Sequence, residues 1–337
     1  MSNLFSGINA RLRGTSSKTG NKSPASPTTE DGHLSSPRTL SHRSKSSSNL
    51  SSKLPQLPAS SSLSQTINLA TATGDEILNS YRLPKPYPLW LNPAYAKHIV
   101  KGNFMTLSSR PRSVEQGEWI AHQVVEHYRN LWNFVQVVCA KEADGKNLCN
   151  TTTCPKMSAG PNHTYTWLNA RKEQIEMPAI EYIALMQRWI SGKIDDSRVF
   201  PTDAGGVSFS HNPSIGNSSL LSGSDEWIGK RSGFPKEFAG ICRTIFLQMF
   251  RVYTHLYWAH FVEPFYHLNL EKQLNSCFSH FMLTATALDM LKPTELEPMQ
   301  PLLDLWAANG TFPSESKVYE YANLKAGQRL LQIAGMA

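Results

Sequence analysis

Between Met1 and Gly74 the chain is nearly without acidic residues and nearly without aromatics. Glu30 and Asp31 stand against eight Lys/Arg, and Phe5 is the only aromatic before Tyr81. Ser, Pro and basic residues fill the stretch. Such a composition cannot bury enough apolar surface to offset the entropy of ordering, so residues 1–75 are expected to form a disordered, Ser-rich basic tail. The tail also carries most of the net charge of +7, because the rest of the chain holds 25 basic and 24 acidic residues. The positive charge is therefore no sign of a basic folded surface, and nucleic acid is not an expected partner.

Long apolar runs are missing as well. Met1 to Gly14 has no hydrophobic region of the secretory type, and nothing approaches the run of about 18 apolar residues that a spanning helix needs. Neither secretion nor membrane insertion is expected. The N-x-Ser/Thr triplets at Asn150, Asn162, Asn217 and Asn309 then read as chance matches. Cysteine is scarce and odd in number, at positions 139, 149, 154, 242 and 277. Without a secretion signal this pattern points to metal binding or buried thiols before disulfides.

Motifs of catalysis are also wanting. Gly223 to Ser232 only faintly resembles a phosphate loop: the spacing is one residue too long, no Ser/Thr directly follows Lys230, and no apolar strand precedes it. There is no G-x-S-x-G, and the His255-x4-His260 pair lacks the Glu base of a zinc protease. The chain is expected not to be an enzyme.

What is present is helical periodicity. Ile120, Val124, Tyr128, Leu131, Val135 and Cys139 make one stripe of a helix running from about Val114 to Lys141. Tyr165 to Met177 suggests a short hairpin turning near Asn169 to Lys172. Pro178 fits the first turn of a second helix that runs to about Ile194. Residues 205–233, rich in Gly, Ser and Asn, read as a surface loop. A third helix follows Pro235 with Phe238, Ile241, Ile245, Met249, Val252 and Leu256 on one side. A fourth spans about Leu268 to Leu291, and a short one runs from Pro293 toward Ala307. The fold class is all-α, a helical bundle with one small hairpin. The domain is expected over 76–310, with 311–337 as a C-terminal extension.

Two pairs then stand out: Cys149 with Cys154, and His255 with His260. Thiolate and imidazole are the preferred ligands of tetrahedral zinc, and four protein ligands would make the site structural. Helix geometry opposes the assignment, since five residues separate the two histidines by about 140° around an ideal helix. They meet at one ion only if the helix bends, bulges or ends there. On residue type alone, two buried thiols and two core or surface histidines fit better than a metal site.

The chain resembles the Mob family of kinase activators. The resemblance runs from about Leu89 to Leu305. It rests on GEWIA (Gly117 to Ala121), CP-x-MSAGP (Cys154 to Pro161), Tyr165-x-Trp167, Phe200-Pro201, MFRVYTHLYWAHF (Met249 to Phe261) and LN-x-x-F-x-HF (Leu274 to Phe281). The family's structural zinc would fall on Cys149, Cys154, His255 and His260. Its role, binding the basic N-terminal regulatory segment of an NDR/LATS-type kinase, would fall on Glu115, Glu118 and Glu126. The implied function is a non-enzymatic co-activator acting in cell polarity or morphogenesis, with a scaffold of kinase or phosphatase complexes as the alternative. The implied location is the cytoplasm, extending to the nucleus and sites of polarised growth or division.

Two features set the chain apart from parts of that family. The basic cluster on which some members dock phosphopeptides corresponds to Leu247, Gln248 and Arg251, which leaves Arg251 as the one anion contact. Together with the long tail, this makes the chain most similar to the fungal branch that serves NDR-type kinases. Within the tail, Ser23, Ser26 and Ser36 precede proline, and Ser47 ends a basic stretch from His42. These four are the candidate phosphorylation positions.

Overall fold

The computed structural model describes residues 73–99, 104–141, 145–202 and 227–335. The expected tail, its four candidate phosphorylation positions and most of the 205–233 loop lie outside the described residues.

Helix α1 (Gly74–Ser80) opens with a capping box in which Thr73 and Glu76 satisfy each other's backbone amides. A proline-rich stretch then leads through a 3-10 turn at Leu89–Leu91, which buries Trp90 and Leu91. Helix α2 (Met105–Ser108) is a single turn. Helix α3 (Gln116–Cys139) follows the expected stripe, with Ile120, Val124, Tyr128, Leu131 and Val135 buried. Two-residue strands β1 (Trp167–Leu168) and β2 (Gln174–Ile175) form the expected antiparallel hairpin, Trp167 opposite Ile175 and Leu168 opposite Gln174. The turn is held by the Asn169 side chain, which accepts from the amides of Arg171 and Glu173.

Helix α4 (Ala179–Ile194) starts one residue after Pro178, which takes the N-cap instead of the first turn. Helix α5 (Phe238–His260) is the central rod of the bundle. It packs on α3 and α4, and most of its apolar side chains are fully buried. Helix α6 (Glu271–Ala287) is shorter at both ends than the apolar pattern suggests. Asn269 and Asp289 adopt positive φ of 56° and 58°. The second closes the helix with the six-residue return bond from Met290 N to Ala285 O, 2.8 Å.

Instead of one helix from Pro293 to Ala307 there are two 3-10 turns, Pro293–Glu295 and Glu297–Met299, and then α7 (Gln300–Ala308). Pro298 and Pro301 lack the amide hydrogens a continuous α-helix would use. Helix α8 (Lys317–Glu320) and helix α9 (Leu324–Gly335) complete the chain. The segment read as an extension folds back on the bundle: α9 packs on both α7 and α1, with Val318, Ala326 and Leu330 buried. Gly327 lies so close to α7 that an added Cβ would sit 2.1 Å from the Asp304 carbonyl oxygen.

The core is strongly aromatic. Phe246, Phe281, Phe278, Tyr253 and Tyr257 stack and tilt against one another between α5 and α6, and Trp306 of α7 joins them. Each such ring contributes about 2–3 kcal/mol on burial. This slab fixes the end of α5, where the chemistry gathers. No helix among the described residues is long and apolar enough to cross a membrane.

Candidate functional site

The loop after α3 doubles back on the helix it leaves. The Cys149 amide donates to Val138 O at 2.9 Å, and Asn147 Nδ2 donates to Cys139 O at 2.7 Å. A tight turn follows, built on Asn150, whose Oδ1 accepts from the amides of Thr152 and Thr153 at 2.8 and 2.9 Å. That turn carries Cys154 round to face Cys149. The Cys154 carbonyl then accepts from the Ala179 amide at the start of α4, 3.0 Å. Downstream, Gly160 has a φ of 72°, and its missing side chain makes room for the Trp258 ring, 2.5 Å from where a Cβ would stand. Glycine is the residue that permits both.

His255 and His260 come from the end of α5, and the helix ends where it must. His260 leaves the α region, with φ −129° and ψ 6°, and a π-helical turn, Phe261–Tyr266, takes over. The 140° separation of an ideal helix is thereby relaxed, and the two imidazole centroids stand 5.2 Å apart.

Four ligand atoms result, all within 4.8 Å of one another, from Cys149, Cys154, His255 and His260. Cys149 Sγ lies 3.7 Å from His255 Nε2 and Cys154 Sγ lies 3.5 Å from His260 Nε2. Zinc bonds of about 2.3 Å to sulfur and 2.0–2.1 Å to nitrogen give a tetrahedral S···N edge of about 3.5 Å, so the donor spacing fits that ion. All four residues are buried. His255 Nδ1 pairs with the Ser158 carbonyl at 2.9 Å. That bond puts the proton on Nδ1 and leaves the Nε2 lone pair for a metal. A hydrogen bond from Cys149, joined by others from His255 and His260, holds the Cys154 thiol below its ordinary value. The group could hold a metal ion. Ser158 was invisible to sequence reasoning because it acts through its backbone.

The three glutamates of α3 have different positions. Glu115 is the N-cap: its Oε2 accepts from the Gly117 and Glu118 amides at 2.6 and 3.2 Å, and its Oε1 from the Gly229 amide at 3.2 Å. Gly117 lies against Gly229 at this corner, 2.5 Å between the Gly229 Cα and an added Cβ. Glu115 thus ties the far end of the 205–233 segment to the helix start. Glu118 and Glu126 are half-buried on one stripe with His122 between them, at successive i+4 positions. Burial lowers the His122 pKa, and the nearby Glu126 carboxylate opposes that shift. Leu107, 57% exposed, is tied to the residue after His122, its carbonyl accepting from the buried Gln123 Nε2 at 3.4 Å.

Arg251 has internal work. Its Nη1 donates to the Tyr182 hydroxyl at 2.9 Å, its guanidinium lies 5.1 Å from the centroid of the Tyr165 ring, and Tyr182 in turn donates to Gln248 Oε1 at 2.6 Å. The structure brings together the four Cys/His residues, leaves the glutamates as a cap and a stripe, and places Arg251 in a chain of aromatic and amide contacts.

A model of the Mob1/phocein family matches residues 96–215 and 219–299. The "Maintenance of ploidy protein mob2" of Schizosaccharomyces pombe is 32% identical over 266 residues, 79% of this chain and 92% of that one. The "CBK1 kinase activator protein MOB2" of Candida albicans is 31% identical, over 68% of this chain and 63% of its own length. The Saccharomyces cerevisiae protein of that name is 33% identical, over 63% of this chain and 62% of its own. The chain therefore spans less than two thirds of the last two relatives.

Proposed function

The chain belongs to the Mob1/phocein family, and on that footing we propose that it is a non-enzymatic co-activator of an NDR/LATS-type Ser/Thr kinase, acting in cell polarity or morphogenesis. The observation that carries the reading is the half-buried stripe of Glu118, His122 and Glu126 beside the exposed Leu107. An apolar anchor next to carboxylates suits a basic, amphipathic segment of the kinase, in which arginines pair with Glu118 and Glu126. Glu115, its oxygens engaged by three amides, serves that surface by fixing the helix start. Relatives named as CBK1 kinase activators support the partner class. Docking a rigid bundle on the segment raises kinase activity if the bundle binds the active arrangement more tightly than the inactive one.

The same reading assigns Cys149, Cys154, His255 and His260 to a structural zinc. With all four positions taken by protein, zinc bound there supplies a crosslink and no open site for catalysis. It ties the 149–154 turn to the end of α5.

The tagged protein, recovered from its own cells, is expected to bring down an NDR-type kinase stoichiometrically and to raise its activity in a kinase assay. Glu118→Lys is expected to keep the melting temperature while weakening kinase binding about tenfold or more. Equal affinity would reduce the stripe to solvated surface. Recovery of the kinase with no change in its activity would favour the scaffold reading.

A further inference from the structure

Beside the four candidate ligands stands a third thiol that they do not use. Cys139 is the last residue of α3, half-buried at the edge of the core. The returning loop sets Cys149 against it: the Cys149 amide bonds Val138 O, and Asn147 bonds the Cys139 carbonyl. These two bonds hold Cys149 beside the residue that ends α3, while Cys149 Sγ and Cys154 Sγ face the imidazoles of His255 and His260 at 3.7 and 3.5 Å. Cys149 is fully buried and Cys139 is not, so an oxidant arriving from solvent meets Cys139 first.

We propose that Cys139 and Cys149 form a redox pair, in which oxidation by a peroxide joins them in a disulfide and dismantles the metal centre. This rests on the zinc reading above. The Cys139 sulfur attacks one peroxide oxygen, the O–O bond breaks, and the departing hydroxide takes the thiol proton to leave as water. Cys139 is then a sulfenic acid. The Cys149 sulfur attacks the Cys139 sulfur, the S–O bond breaks, and hydroxide leaves and gains a proton from solvent. Two sulfurs have each lost one electron, and one peroxide has become two waters. A disulfide sulfur is no longer a thiolate ligand, so three ligands remain and the ion is released. A dithiol reductant returns both thiols and restores binding.

The test uses the full chain loaded with zinc. Hydrogen peroxide is added, release is followed with a chromogenic chelator, and cysteine linkages are mapped by non-reducing peptide mass spectrometry. Release is expected to track the Cys139–Cys149 peptide and to reverse with dithiothreitol and added zinc. Cys139→Ser, with Cys139→Ala as a second variant should the first fold poorly, is expected to bind zinc and melt like the parent. It should release the ion about tenfold more slowly under peroxide, while Cys277→Ser matches the parent. Equal release from the parent and either Cys139 variant, or linkage of Cys149 to Cys154 instead, would overturn the proposal. A chain holding no zinc before peroxide is added would overturn the metal reading itself, and the two failures are thereby separate.

Discussion

Cys149 and His255 are 106 residues apart in the chain, and Tyr81 and Asp304 are 223 apart; each pair meets through side chains. The two closures use opposite electrostatics. At the first, two cysteines and two histidines converge with spacing suited to a cation. At the second, the Asp304 carboxyl is fully buried and meets donors only: the Tyr81 hydroxyl at 2.6 Å, the Asn323 amide at 2.7 Å and Gln300 Nε2 at 2.8 Å. No cation neutralises Asp304 among those contacts, and burial pushes its pKa up from 3.8 to about 6 despite them. A metal closure gains as pH rises, because protons leave the ligands. A buried carboxyl closure loses as pH rises, because the charged form is the costly one. With a metal bound at the first, the two closures would respond to pH with opposite sign.

The largest effect that would break the comparison is loss of the metal closure. Cys154→Ala, or exhaustive chelation of the parent, is expected to lower the melting temperature by more than about 10 °C, since structural zinc contributes directly to folding. Differential scanning calorimetry with and without chelator measures it. An unchanged transition would mean that the four residues pack without a metal, and that both closures are ordinary buried polar contacts.

Next comes the carboxyl closure, whose sign can be worked out. Burial sets the Asp304 pKa at about 6 in the folded chain, against an ordinary 3.8. Its contribution is full below pH 3.8 and is lost as pH rises through 6. At about 1.4 kcal/mol per unit the change is about 3 kcal/mol. Asp304→Asn cannot ionise, and its amide can still accept from Asn323 and Gln300 while donating to the Tyr81 oxygen. The variant is therefore expected to be less penalised than the parent at pH 8 and to lose that advantage by pH 4. Asp304→Ala strands three donors and costs about 3 kcal/mol at pH 4, where the parent carboxyl is neutral, and less as pH rises and the parent itself is penalised. Parallel melting profiles for parent and Asp304→Asn across that range would show that Asp304 does not carry the pH dependence.

The two closures also differ in how far the amino-acid sequence discloses them. Cysteine and histidine are scarce enough for the pairs Cys149/Cys154 and His255/His260 to stand out, but it is the family resemblance that joins them into one candidate site. What the sequence hides is how His255 and His260 meet, because the answer lies in the backbone of His260 and the π-helical turn beyond it. Tyr81, Asp304, Gln300 and Asn323 have no pattern at all: such residues occur on every surface, and only packing of α9 on α7 and α1 buries them together. Periodicity reveals α3, α4 and α5 for the same reason that it misplaces the ends of α6. A stripe reports which side is buried, while single positive-φ residues, Asn269 before the helix and Asp289 after it, bound where it begins and stops. Cys139 was legible as an apolar position of its stripe and as one of five cysteines, and its nearness to Cys149 needed the returning loop.

The smallest effect sharpens the comparison by showing what does not close the chain. Arg329 Nε of α9 meets Asp75 Oδ1 of α1 at 2.6 Å, an ion pair joining the same two ends as Asp304. The Asp75 side chain is 61% exposed, however. Water screens such a pair, and holding two long side chains in one geometry costs entropy, so its net value is below about 1 kcal/mol. Arg329→Ala is expected to shift the melting temperature by no more than about 3 °C, and less at high salt. A shift as large as that of Asp304→Ala would mean that the terminal helices are held by surface charge. The buried carboxyl would then be a consequence of their packing and not its cause.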